Sequence, residues 1–254
     1  MARKLGKKKR QELLDELLVE LMKDTHNDYL RFVEEYSIKL ESKFNEVALL
    51  KASSTISIIV RNRQIAQATS ELLTILYEYQ EAFRTKLSDT MSVVMEEVLG
   101  QDYLERVIYT AEDNTAIVGA IEGAYDYFEE IFSPILLQLT MLDSTSMLSE
   151  TQENELVATL ITMRDRLSYE LRRHVEAQMS LIVNLGIIEA SKELYGISLW
   201  KWSNRPELTE SGTCAHCKSL AEGGIGSEGI YTLETLPLLP VHPHCVCVVL
   251  PVIP

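Results

Sequence analysis

Apolar residues recur three and four positions apart over most of this sequence, the spacing that keeps side chains on one face of an α-helix. One series runs Leu13, Leu14, Leu17, Leu18 and Leu21, then Tyr29, Phe32, Val33, Tyr36, Leu40 and Phe44. A second runs Leu72, Ile75, Leu76, Tyr79, Phe83, Leu87, Met91, Val94 and Val98. A third helical region is expected from about Asn114 to Leu139, broken or kinked at Pro134. A fourth opens with Ser149 and Gln152 in capping-box spacing and continues through Leu156, Leu160, Met163, Leu167, Leu171, Val175, Met179 and Ile182. Each stripe needs a partner, so the pattern predicts a mainly α protein, an elongated bundle of long amphipathic helices over 11–196 with no strict heptad or internal repeat. Gly186 and Gly196 mark its expected end, and Leu199, Trp200, Lys201 and Trp202 suit a short strand.

After Asn204 the chemistry of the chain changes. Six of the seven prolines, five of the eleven glycines and all four cysteines lie there, which sets residues 197–254 apart as a small α+β module. Its apolar content suggests little core beyond Leu236, Leu238, Val248, Val249 and Leu250. The whole chain of 254 residues is 46% hydrophobic and 24% charged, enough apolar material for a sizeable buried core. The longest apolar run, Met179 to Ile188, is too short for a membrane span and is interrupted by Asn184 and Gly186.

Charge is divided unevenly. The formal net charge is −14, yet residues 1–10 contain Arg3, Lys4, Lys7, Lys8, Lys9 and Arg10 with no acid. The body would repel a polyanion, whereas this basic tail could neutralise phosphates, which makes it a candidate contact for nucleic acid as well as an ordinary solvated end. No apolar stretch of the kind that follows the basic start of a secretory signal comes after it, so cytoplasmic synthesis is expected.

Two cysteine pairs dominate the C-terminal module. Cys214 and Cys217 form a C-x-x-C pair, and after a Gly-rich excursion the chain returns with His242, His244, Cys245 and Cys247. Two close pairs on separate loops can supply the four nitrogen or sulfur ligands of a tetrahedral zinc site without a large core. Cys245 and Cys247 would face one way in a strand, which allows a four-cysteine site, and His242 in place of one cysteine is equally allowed. The candidate ligands are therefore Cys214, Cys217, His242, Cys245 and Cys247 around a structural Zn²⁺. Two disulfides are the competing use of four cysteines, disfavoured by a cytoplasmic setting. His216, His26 and His174 read as packing or surface residues.

Catalysis has little support. A zinc deaminase would use H-x-E followed by P-C-x-x-C; His174, Glu176, Cys214 and Cys217 mimic that order, but Thr213 stands where the proline should be, and Cys245 and Cys247 stay unexplained. No phosphate-cradling Gly loop, H-E-x-x-H or G-x-S-x-G motif occurs. The chain is not expected to be an enzyme. The alternative reading is a zinc-dependent nucleic-acid-binding or nuclease/deaminase-like module, weakened because Arg205 and Lys218 are the only Lys or Arg residues in 205–254.

From about Asn184 to Pro251 the sequence resembles the C-terminal region of the phage Mu F-like minor head proteins, the phage head morphogenesis family. The resemblance rests on Asn184, Gly186, Ala190 and Lys192 on a helix, then Trp200 or Trp202, then Thr213, Cys214, Cys217 and Leu220, then Pro240, His242, Pro243, Cys245 and Cys247. It covers about the last quarter of the chain. Val246 stands where the family usually has Arg, and Ala221 and Glu222 where it has Asp-Gly. The resemblance implies a minor capsid protein inside a tailed-phage virion, assembled in the host cytoplasm. Its implied partner is the portal protein, with scaffold or major capsid protein and packaged DNA as further candidates.

Overall fold

A computed structural model of the protein describes residues 6–52, 57–99, 150–195, 197–208 and 212–253, together with scattered positions from 119 to 137. Among these the protein is mainly helical, with a small three-stranded sheet near the C-terminus. The long helices are α1 (Lys7–Ala52), α2 (Ile58–Leu99) and α3 (Glu150–Tyr195). Strand β1 (Trp200–Ser203), a 3-10 turn (Pro206–Leu208), helix α4 (Ala215–Ala221) and strands β2 (Ile230–Tyr231) and β3 (Val248–Pro251) follow. Most of the third expected helix, 114–139, lies outside the described residues; the positions seen there are helical, Pro134 included. Of the six basic residues in 1–10, Arg3 and Lys4 also lie outside, while Lys7 to Arg10 already form the exposed start of α1.

Packing divides the chain into two compact units. One comprises Met1–Tyr29, Lys86–Glu122 and Val175–Pro254, the other Leu30–Thr85 and Gly123–His174. The expected division at 196/197 is thus not a packing boundary: the cysteine-bearing segment shares a unit with the last part of α3 and the first part of α1.

In the second unit the buried positions repeat every seven residues, with Val33, Leu40 and Val47 on α1, and Ile65, Leu72 and Tyr79 beside Thr69, Leu76 and Phe83 on α2. Phe32 and Tyr36 meet Tyr79 and Phe83 there, ring centroids 4.9 to 5.9 Å apart. His174 of α3 closes this cluster, its Nδ1 2.8 Å from the Tyr79 hydroxyl and its ring 4.8 Å from Phe83. His174 is fully buried, which makes it a packing residue. Ion pairs Lys43–Glu46 and Lys43–Glu71 and the Arg164–Asn45 hydrogen bond lie at the rim.

In the first unit the buried face of α1 carries Leu18, Met22, His26 and Tyr29, and that of α2 carries Leu87, Met91, Val94 and Val98. Leu13 and Leu17, although part of the expected stripe, are largely exposed, because the core-facing line continues from Met22 back through Leu18. From His174 to Ser191 α3 is buried on almost every side. That explains the apolar run at Met179 to Ile188: a helix enclosed all round carries no polar face. Among the described residues no helix is long and apolar enough to cross a membrane.

Gly186 does not end α3. It sits inside the helix, where an added Cβ would lie 2.8 Å from Val94 Cγ1 and 3.0 Å from Met91 Sδ. The residue that looked like a terminator is a point of close helix approach.

Strand β1 is the centre of the sheet, antiparallel to β2 and β3, with Trp200 opposite Tyr231 and Pro251, and Trp202 opposite Val249. Alternation along β1 turns both tryptophans inward and Lys201 outward. Trp200 and Trp202 are each 1% exposed and pack with Ile188, Ile197, Cys217, Tyr231, Cys245, Cys247 and Val249. This core is built around the tryptophans; Leu238, expected within it, is 91% exposed.

The close approach at Gly186 generates a stability prediction. Gly186→Leu should lower the unfolding free energy by the roughly 1–3 kcal/mol typical of overpacking, read as a lower urea midpoint at unchanged slope, and an unaltered midpoint would show that α2 and α3 do not meet there.

Candidate metal centre

Cys214 precedes α4 as its N-cap, with extended backbone, and its sulfur accepts the Cys217 amide hydrogen at 3.3 Å. This local bond is why the C-x-x-C spacing works: one cysteine caps the helix and the other projects from its first turn toward the same point. Cys214 is exposed and Cys217 buried. The turn after α4 returns through Gly229, whose φ of +71° and position, an added Cβ lying 2.6 Å from the Ala221 carbonyl oxygen, admit only glycine. Its own carbonyl accepts the Trp202 amide at 2.7 Å, which fixes this loop to β1.

The second set of donors lies just before β3. Cys245 and Cys247 are not strand residues, since β3 begins at Val248. They nevertheless converge: the sulfurs of Cys217, Cys245 and Cys247 lie within 4.8 Å of one another, and so do the donor atoms of Cys214, Cys217 and His242. Cys217 belongs to both groups. His242 Nε2 is 3.2 Å from Cys214 Sγ and 3.1 Å from Cys217 Sγ. Its Nδ1 lies 2.6 Å from the Pro243 carbonyl oxygen, an acceptor only, so Nδ1 carries a proton and donates it, and Nε2 is the ring nitrogen that faces the sulfurs. These groups can hold a metal ion. His216, by contrast, is exposed and outside both groups.

The electrostatics of the cluster favour a cation. The Cys247 thiol, together with the Cys247 amide and His242, outweighs burial to bring Cys245 down to about 6. Burial, with the Cys245 charge, pushes Cys217 up to about 12, and the hydrogen bond to Cys245 followed by burial drives Cys247 higher. Burial opposes ionisation of Cys214, but the Cys217 amide and thiol and His242 outweigh it and lower its pKa. Burial works against a charge on His242 too, yet the Pro243 carbonyl and the Cys245 and Cys214 charges raise its pKa. Each thiolate therefore raises the cost of the next, a conflict that a divalent ion removes by stabilising all of them at once.

Helix α3 holds the donor loop by polar groups. Asn184 Nδ2 donates to the Cys247 carbonyl oxygen at 3.0 Å, and its Oδ1 accepts the Val249 amide at 2.8 Å. Trp200 Nε1 donates to Ser191 Oγ at 3.2 Å, joining β1 to the same helix. Cys247 Sγ lies 3.7 Å from Asn204 Oδ1, whose oxygen also accepts from Trp202 Nε1 at 3.2 Å. One turn before Ser180, Glu176 is 3% exposed, with Oε1 3.1 Å from His26 Nε2 and Oε2 2.6 Å from His244 Nδ1. His26 is thus a buried, bonded residue, and the His174 and Glu176 of the deaminase-like order engage Tyr79 and the two histidines respectively. The legible signal for this layer is a string of polar residues inside an apolar helical run, Glu176, Ser180 and Asn184, since buried polar groups are as a rule bonded.

No family model matches the chain, and no curated protein or solved structure matches it.

Two outcomes are expected. In metal-free, reduced protein, iodoacetamide should modify Cys214 first, because it is exposed and biased toward the thiolate that reacts, whereas Cys217 is buried and pushed up to about 12. Mass mapping at partial modification reads the order, and early labelling at Cys217 would contradict it. Asn184→Ala should destabilise the protein by about 2–4 kcal/mol, since it leaves the Cys247 carbonyl and Val249 amide buried without this partner, measured by urea unfolding.

Proposed function

We propose that this protein is a minor head morphogenesis protein of a tailed bacteriophage, associated with the portal inside the head, and that its cysteine cluster holds one structural Zn²⁺. The observation that carries the reading is the ordered set Asn184, Gly186, Ala190, Lys192, Trp200 or Trp202, Cys214, Cys217, His242, Cys245 and Cys247, in the sequence pattern of the Mu F-like proteins. What supports it physically is that these residues serve one local structure. Asn184 holds the loop of Cys247, Gly186 admits α2, Ala190 is buried, Lys192 pairs with Glu189, and the tryptophans form the core beneath the sulfurs.

Thiolate and imidazole donors in a tetrahedral set suit zinc, which would supply a crosslink without redox chemistry. Cys217 and three of Cys214, His242, Cys245 and Cys247 would hold it. A centre of this kind stabilises a loop-rich segment and requires no turnover, in keeping with a non-enzymatic assembly role. The partners are the portal protein and, in second rank, scaffold or major capsid protein; packaged DNA would be met by the basic start of the chain. The protein acts in the virion, after assembly in the host cytoplasm.

Purified under reducing conditions, the full chain should hold about one zinc, the occupancy of a single four-ligand site, and co-expression with the portal protein of the same phage should co-purify the two. Elemental analysis without metal would remove the zinc, and a chain that binds neither portal, scaffold nor capsid protein would remove the assembly role.

A further inference from the structure

The start of α1 is poorly supported by its own sequence. Lys7 to Arg10 occupy its first turn with no acid among them, the arrangement the helix dipole disfavours. Beside the local Lys9–Glu12 and Gln11–Asp15 contacts, it is held from the other end of the chain. Gln11 Nε2 donates to the Pro251 carbonyl oxygen at 2.8 Å, and its Oε1 accepts the Ile253 amide at 2.8 Å. Some four turns later His26 meets Glu176, whose second oxygen is taken by His244.

His244 lies between the candidate ligands His242 and Cys245. Its φ is +62°, the left-handed region that a residue with a side chain occupies only when its surroundings impose it. An ion bound by His242 and Cys245 would pin the chain on both sides of His244 and so keep its imidazole aimed at Glu176. The same ion, through Cys247, would fix the start of β3, whose last residue and the segment beyond it hold Gln11.

We propose that metal occupancy of the cysteine cluster is coupled, through His244, Glu176 and His26 and through β3 and Gln11, to the docking of residues 7–29 of α1. Loss of the metal then loosens the basic end of that helix. The inference rests on the metal reading above. Because coupling between two equilibria is reciprocal, an undocked α1 must also weaken the hold on the metal.

Hydrogen exchange read by mass spectrometry tests this on the full chain, first with zinc bound at a measured stoichiometry and then after removal with EDTA. Zinc removal should speed exchange about tenfold or more in peptides covering 12–29, a middling allosteric coupling, as well as in 242–249, and should leave peptides within 65–83 little changed. The double variant Gln11→Ala, His26→Leu touches no ligand; in equilibrium competition with a chromogenic chelator it should bind zinc about tenfold more weakly, the same coupling read from the other side. If zinc removal speeds exchange only within 212–253, the coupling is overturned while the metal site stands. If the chain holds no zinc, the metal reading falls, and this inference falls with it. Unchanged zinc affinity of a folded double variant would also overturn the coupling.

Discussion

The structure of the first unit depends on how the buried backbone just before and within β3 is satisfied. Residues 245 to 250 are enclosed, yet the prolines and tight turns that bring the cysteines together leave this stretch without a full set of ladder partners. Asn184 supplies part of what is missing by accepting one amide and donating to one carbonyl from the middle of a helix. An amide side chain is suited to this because it carries a donor and an acceptor side by side, matching the peptide edge. With that edge fixed, Cys247 faces the other sulfurs and Trp202 is covered by Val249; without it, neither the core nor the donor cluster would have a floor.

The helices were legible because burial selects a face and the face repeats along the sequence. Tyr29, Val33, Tyr36 and Leu40, and Leu72 through Val98, fall where the spacing puts them. The pattern failed where apolar residues crowd more than one face: Leu13 and Leu17 satisfy the spacing but lie beside the core line, not on it. Glycine was ambiguous for a different reason. At Gly186 the absence of a side chain serves a neighbour, Val94, that is remote in sequence, and no local rule distinguishes that from a helix end.

The cysteines were legible by number and spacing, and Cys217 stands in two groups that could hold a metal ion, one with Cys214 and His242 and one with Cys245 and Cys247. Their surroundings were not. The partnership of His26, Glu176 and His244 joins residues separated by 150 and 68 positions, and such long-range hydrogen bonds leave no periodic trace. The core of the C-terminal segment was not legible from the composition after Asn204, because Ile188, Trp200 and Trp202, which form much of it, come from before that point.

The repeat lengths of the buried positions have a consequence for the winding of the helices. In the second unit the seven-residue repeat of α1 and α2 is shorter than two turns of a straight helix, so contacts along it are kept only if the helices coil about one another in the left-handed sense.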